Sequence, residues 1–223
     1  MVAIYDFFGE IRMKKRIFSI ITVILLLVSL AGCARRPKPT NGVVGTWENT
    51  VDISEYLRYY LGDSVFAGYI QLSDIPLYLL YSFAEDGTFA VKVNTEKTQK
   101  SWDKFLDAIE EGMKAAYKAS NPEGSIDEFF AAYEKDTGST VRETLEEKNK
   151  MSTFIEPFEN NGYYKVQGNR LYLSDKPLEI TDKTPYEIFS IEKSKLTILS
   201  SSDPSLSTEE KSQYPYEFYF VSQ

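Results

Sequence analysis

The chain has 223 residues, 33 acidic against 25 basic, giving a net charge of −8, with no histidine and a single cysteine. That balance argues against a nucleic-acid partner, because affinity for a phosphate backbone rests on clustered cations. The missing histidine excludes Ser-His-Asp and Cys-His catalysis, HExxH zinc sites and an unperturbed imidazole base, so an enzyme built on this chain would need carboxylates, tyrosines, lysines or serines.

An uncharged run, Ile17 to Leu30, follows Lys14, Lys15 and Arg16. It is shorter than the about 20 apolar residues of a membrane-crossing helix and suits the apolar centre of a secretory signal. Residues 1–32 therefore read as a signal peptide. Asp6 and Glu10 stand ahead of the basic cluster, which places the start of translation at Met13. The end of the run, Leu30-Ala31-Gly32-Cys33, resembles the lipobox of bacterial lipoproteins, in which the cysteine sulfur is acylated before cleavage. The resemblance implies lipidation of Cys33 and a membrane partner held through the lipid, on the extracytoplasmic face of the cell membrane. A diacyl pair suffices for stable anchoring, since each buried methylene contributes about 0.8 kcal/mol. Cleavage would leave residues 33–223 and, by removing four basic and two acidic residues, take the net charge from −8 to −10. An acylated Cys33 would leave no thiol for catalysis, metal binding or a disulfide.

Residues 33–42 read as a lipidated tether, rich in proline and polar residues. Arg35, Arg36 and Lys38 in it either attract anionic headgroups or simply solvate it. From Val43 the chain reads as one domain to residue 223. "VVGTWENTVDI" is a first strand, and Asp52-Ile53-Ser54-Glu55 has capping-box spacing before a helix over Ile53 to Leu61, with Gly62 as its stop. "LYLLYSFAEDGTFAVKVN" is a hairpin turning at Asp86-Gly87, with Phe89, Val91 and Val93 on its buried face. The period then changes to about 3.6 over a helical insertion at about 97–158. Trp102, Phe105, Leu106, Ile109, Met113, Ala116 and Tyr117 form one stripe, and capping boxes start at Ser125 and Thr140. Two or three helices are expected, with Glu110, Glu111, Glu134, Asp136, Glu146 and Glu147 on solvated faces. The sheet resumes after Asn161 as a meander turning at Gln167-Gly168-Asn169 and near Glu192 to Lys195, and "YEFYFVS" closes it. Short successive strands predict a barrel, whose closure removes exposed edges. The fold class expected is α+β, mainly antiparallel β.

"VVGTWE", "SFAEDGTFAV", the helix-rich insertion, "GYYKVQGNRLYLS" and the closing aromatic strand together resemble the lipocalin-like lipoproteins of Gram-positive bacteria. The resemblance spans nearly all of Val43 to Ser222. It implies a lipocalin-like β-barrel in the cell envelope and carries over no catalytic residue. Gly45-Thr46-Trp47 matches the GxW of true lipocalins, where the tryptophan plugs the closed barrel end beneath an arginine from the last strand; no arginine follows Arg170 here.

The function expected is non-catalytic: a binding module for an apolar or glycan-like ligand, motivated by 16 Tyr and 14 Phe. Alternation sends Phe83, Phe89, Val91, Leu171, Leu173, Ile198 and Phe218 inward, where they either fill the core or line a cavity. The candidate ligand-binding residues are Phe83 and Phe89 inside, with Tyr59, Tyr60, Tyr163 and Tyr164 as a rim. The alternative is a scaffold lipoprotein presenting the helical insertion to another envelope protein. A hydrolase built on paired carboxylates ranks lower, since no acidic residue stands apart from helix surface. No metal or cofactor is expected; "EKDTGST" has too few ordered carboxylates for a calcium loop, and Gly138 reads as a helix stop.

Overall fold

A computed structural model describes residues 42–62 and 66–222. The leader, Cys33 and most of the tether lie outside the described residues. Two compact units are present. One is a β-barrel made of 42–50, 78–94 and 157–222, and the other is helical, made of 51–77 and 95–156.

The barrel has eight strands: β1 (Gly45–Asp52), β2 (Pro76–Phe83), β3 (Thr88–Val93), β4 (Asn160–Gln167), β5 (Arg170–Ser174), β6 (Glu187–Glu192), β7 (Lys195–Ser201) and β8 (Tyr216–Ser222). They follow one another around a closed sheet in chain order. The strand pairings β2–β3 through β7–β8 are antiparallel, and β1 with β8, also antiparallel, closes the ring through Thr46↔Ser222, Trp47↔Phe220 and Glu48↔Tyr219. The fold class is thus the α+β, mainly antiparallel barrel that the strand spacing predicts.

The expected turns are in place. Thr88 donates its backbone N–H and hydroxyl to Asp86 Oδ1, and Gly87 takes φ +84°, which a Cβ would strain. Glu192 pairs with Lys195 across a two-residue turn. Two bulges were not legible in the sequence. The register advances one residue on β1 for two on β8 beside Val221, and one on β6 for two on β7 beside Leu199. Each bulge leaves an extra apolar residue exposed, at 53% and 46%.

Alternation puts Trp47, Phe83, Phe89, Val91, Leu171, Ile198 and Phe218 in the buried core, with Leu173 facing Tyr164 across β4–β5. At the barrel end where β1 begins and β8 finishes, the Trp47 indole is 2% exposed and donates to Val43 O at 2.7 Å. Its ring meets Phe220 of the last strand edge-on at 5.1 Å. An aromatic ring from the last strand thus packs against the tryptophan.

In the helical unit, α1 (Ser54–Leu61) is joined through a 3₁₀ turn (Ala67–Tyr69) to an extended run ending at Leu77. Asp52 Oδ1 accepts from Ser54 N, Ser54 Oγ and Ile75 N. The expected Asp52–Glu55 box is therefore replaced by a clasp between the helix start and the returning chain. Four α-helices follow where two or three were expected: α2 (Thr95–Ser120), α3 (Ile126–Thr137), α4 (Val141–Lys148) and α5 (Met151–Ile155). Ser125 caps α3 by accepting from Glu128 N, and Thr140 with Glu143 forms a complete capping box on α4. The predicted stripe of α2 is buried from Trp102 to Ala116, and Tyr117 at its end stacks on Phe129 at 4.4 Å. Trp102, Tyr56 and Tyr60 each bring a ring within 5.2 Å of Phe154. Beyond the insertion, α6 (Thr208–Ser212) starts on a Ser207–Glu210 capping box that the sequence reading passed over.

One glycine reports on the packing of the barrel wall. Gly162 pairs with Phe89, and a Cβ there would stand 2.3 Å from the Ser174 carbonyl oxygen and 2.9 Å from Phe89 Cε1. Because the closest atom is backbone, β5 itself would have to move. Gly162→Ala is expected to destabilise the barrel by about 1–3 kcal/mol, read as a lower urea midpoint, whereas Gly68→Ala, which meets nothing within 4 Å, leaves the midpoint unchanged.

Candidate functional site

The six residues singled out from sequence do not form one site. Phe83, Phe89 and Tyr164 come together, with ring centroids 6.1 Å apart for Phe83–Phe89 and 5.0 Å for Phe83–Tyr164. All three are buried. The Tyr164 hydroxyl donates to Ala84 O at 2.8 Å, and burial, helped by Asp86 and Glu85, pushes its phenol up to about 12. This is core packing, in keeping with the tight fit of side chains inside an eight-stranded barrel. Tyr163 lies on the opposite face of β4 from Tyr164, paired with Thr88 and Ser174. Tyr59 and Tyr60 belong to the helical unit, where Tyr59 is 55% exposed and Tyr60 packs on Phe154 at 5.0 Å.

A different constellation occupies the inward face toward the end where β6 and β8 begin. Glu187 stands opposite buried Leu171 and, by alternation, on the face of buried Phe189. Its carboxylate accepts from the Tyr214 hydroxyl at 3.0 Å. Tyr214 and Tyr216 meet edge-on at 4.7 Å, and the Tyr216 hydroxyl donates to Gln213 Oε1 at 2.9 Å. From β2, Tyr81 brings its ring to 4.9 Å from Phe218 of β8. The pairing then runs Tyr81↔Val91↔Asn160 across β2, β3 and β4, so Tyr81 and Asn160 flank Val91 on the same inward row.

The electrostatics of this cluster are set by desolvation. Burial raises the Glu187 carboxyl above the ordinary glutamate range, against hydrogen bonds from Ser201 and Tyr214 and with added repulsion from Asp203. Burial, and then the neighbouring Glu187 charge, raises Tyr214 and Tyr216. Burial also pushes the Tyr81 phenol up to about 12, yet Tyr81 keeps accessible surface, as do Glu187 and Tyr216. Tyr81, Glu187 and Tyr216 are thus partly buried polar groups on the inward face of the barrel. Asn160 is 8% exposed, and its Oδ1 has no hydrogen-bond partner.

Among the described residues no group of three or more acidic or cysteine side chains is placed to hold a metal ion, and no helix is long and apolar enough to cross a membrane. The helical unit has a separate surface hollow of ≈ 290 Å³ at Trp102, Leu106, Asn149 and Met151. No family model, curated protein or solved structure matches the chain.

Sequence reasoning passed over Glu187, Tyr81 and Asn160. "LYLLYSF" and "EIFSIE" are apolar on both faces over much of their length, so period two does not say which residues turn inward. The one available signal was Glu187 standing two residues before Phe189 and four before Ile191, an acid in phase with apolar positions.

Glu187 should have a measurable signature. With its folded pKa above its unfolded one, ionisation opposes folding; the penalty sets in as pH rises from the ordinary glutamate value toward the raised one and is complete above it. Glu187→Gln keeps an acceptor for Tyr214 and removes that penalty. Its melting temperature should match wild type near pH 4 and exceed it near pH 8; a difference that stays constant or shrinks with rising pH contradicts the assignment.

Proposed function

We propose that this chain is an extracytoplasmic lipoprotein of lipocalin-like type, held on the cell membrane by lipid on Cys33, and that its barrel is a non-catalytic binding module for a small, largely apolar molecule. The observation carrying the binding reading is the inward-facing polar cluster of Glu187, Tyr81 and Tyr216. These groups are desolvated, face inward and retain accessible surface, whereas the barrel's other end is stoppered by Trp47 and Phe220. A barrel closed at one end and polar toward the other suits a ligand with an apolar body and a polar tip. The lipid anchor rests on the sequence around Cys33. A second reading, an interaction lipoprotein meeting another envelope protein through its helical unit, is favoured by Tyr59 and Tyr69, exposed at 55% and 43%.

Two measurements test the proposal. Mass spectrometry of the native protein should find residue 33 as the first residue, carrying acyl chains; an unmodified thiol or a retained leader removes the anchor. In thermal melts a bound ligand stabilises by mass action, about 2.7 kcal/mol at a hundredfold excess over Kd. A panel of short amphiphiles should therefore raise the melt of wild type and leave that of Tyr81→Trp, whose larger ring crowds the barrel interior at that row, unmoved. Equal shifts in both proteins would move binding out of the barrel.

A further inference from the structure

Of the large apolar side chains that the described part of the barrel unit exposes, three of four are consecutive: Tyr219, Phe220 and Val221, at 56%, 37% and 53%, with Leu199 the fourth. A regular strand would bury every second residue, as β8 does at Phe218. The bulge beside Val221 breaks that alternation, and all three residues keep apolar surface. Exposed apolar side chains that are grouped, not scattered, mark a contact surface.

Position decides what touches that surface. The Phe220 backbone N–H donates to Ser194 O at 2.8 Å, which sets the β6–β7 turn beside the end of β8. A Cβ on Gly42 would stand 3.8 Å from Ile191 Cδ1, two residues before the exposed Lys193 of that turn. The link to Cys33 therefore joins the barrel at the corner that carries the apolar run. Between Cys33 and Gly42 there are 42 − 33 = 9 residue steps, which span at most about 32 Å whatever their conformation. A lipid on Cys33 keeps the corner within that reach of the bilayer, at an effective concentration on the order of millimolar. A contact too weak to hold a free body on the membrane then suffices for a tethered one.

Charge points the same way. Against the chain's net −8, the ionisable groups around the run are Lys193 and Lys195 with Glu48, Glu192 and Glu217, and Lys195 pairs with Glu217. Arg35, Arg36 and Lys38 of the tether bring the local sum to 5 − 3 = +2. The exposed acids Glu85 and Asp86 belong to the β2–β3 turn, on the other side of β1. Anionic headgroups are thus accepted on the β6–β8 side and repelled on the β2–β3 side. Resting on the lipid-anchor reading above, we infer that Tyr219, Phe220 and Val221 dock on the bilayer that holds Cys33, seating the corner of β6 to β8 in the headgroup layer with Lys193 beside it. Tyrosine suits that layer, having an apolar ring and a polar tip. The opposite end of the barrel, where β6 and β8 begin and Glu187 meets Tyr214, is turned away from the lipid.

The test uses the native, lipidated chain on vesicles of phosphatidylcholine with a quarter phosphatidylglycerol, brominated on the acyl chains near the glycerol. Trp47 packs on Phe220 and is the reporter, read in a Trp102→Phe background where it is the sole tryptophan. Bromine should quench its emission. Tyr219→Thr with Val221→Thr keeps residues suited to a strand while removing the apolar surface, and should cut the docked-to-free ratio by about tenfold while the protein still floats with the vesicles. A second readout needs no change in the core: in the wild-type chain a water-soluble amine-reactive reagent should modify Lys193 more slowly on vesicles than after release into detergent, and the double variant should lose that protection. Floating protein whose Trp47 emission and Lys193 reactivity are unaffected by the bilayer overturns the docking and leaves the anchor standing. Quenching and protection that persist in the double variant move the contact off β8 and overturn it as well. A chain that does not float with the vesicles overturns the docking and the anchor together.

Discussion

Closure of the sheet between β1 and β8 is the constraint on which the barrel depends. Trp47 is where the closure is tightest: its backbone pairs with Phe220, its indole N–H donates to Val43 O, and its ring packs on Phe220. Two residues on, Asn49 Nδ2 reaches the carbonyl oxygen of Glu217 and extends the seam with a side chain. Without the seam, β1 and β8 would present open edges. With it, every second residue of eight short strands faces an interior that has two unlike ends. Rings of Trp47, Phe83, Phe89 and Tyr164 fill one, and phenols gathered about a carboxylate occupy the other.

The helical unit is built on a separate core and interrupts the barrel sequence at two connections, β1–β2 and β3–β4. Its centre is aromatic, with Tyr56, Tyr60, Trp102 and Phe105 around Phe154. Close backbone approach matters here as well, since a Cβ on Gly112 would stand 2.5 Å from Ile70 Cγ1. On its surface Arg142 reaches Asp103, Asp107 and Glu146. Exposed ion pairs of this kind contribute little singly, at most about 1 kcal/mol. The acidic residues assigned to solvated helix faces are in keeping with that: Glu110 and Glu111 engage Lys114, and Glu146 engages Arg142.

The site was less legible than the fold, for a physical reason. Phe83 and Phe89 stood out because large aromatics in an alternating strand must be buried somewhere, and they are. Burial alone does not separate a wall from a filling, however. That difference depends on which rings meet, as Phe83 meets Tyr164, and on which inward groups retain reachable surface, as Tyr81 does. Tyr59 and Tyr60 lie in a different unit from Tyr163 and Tyr164, so the four do not form the expected rim. Adjacent residues on a strand also point to opposite faces, so Tyr163 and Tyr164 could not share one surface.

The sequence by itself determined the barrel's hairpins, through Asp86-Gly87 and the strict alternation of β3, and it determined the long helix through the stripe from Trp102 to Ala116. These are local matters of period and turn chemistry, readable within a dozen residues. Tertiary structure alone decided the seam partner of Trp47, the bulges at Leu199 and Val221, the clasp of Asp52 on Ile75, and the meeting of Glu187 with Tyr214. Each of those joins residues far apart in the chain, and strand register, which periodicity does not encode, sets which of them meet.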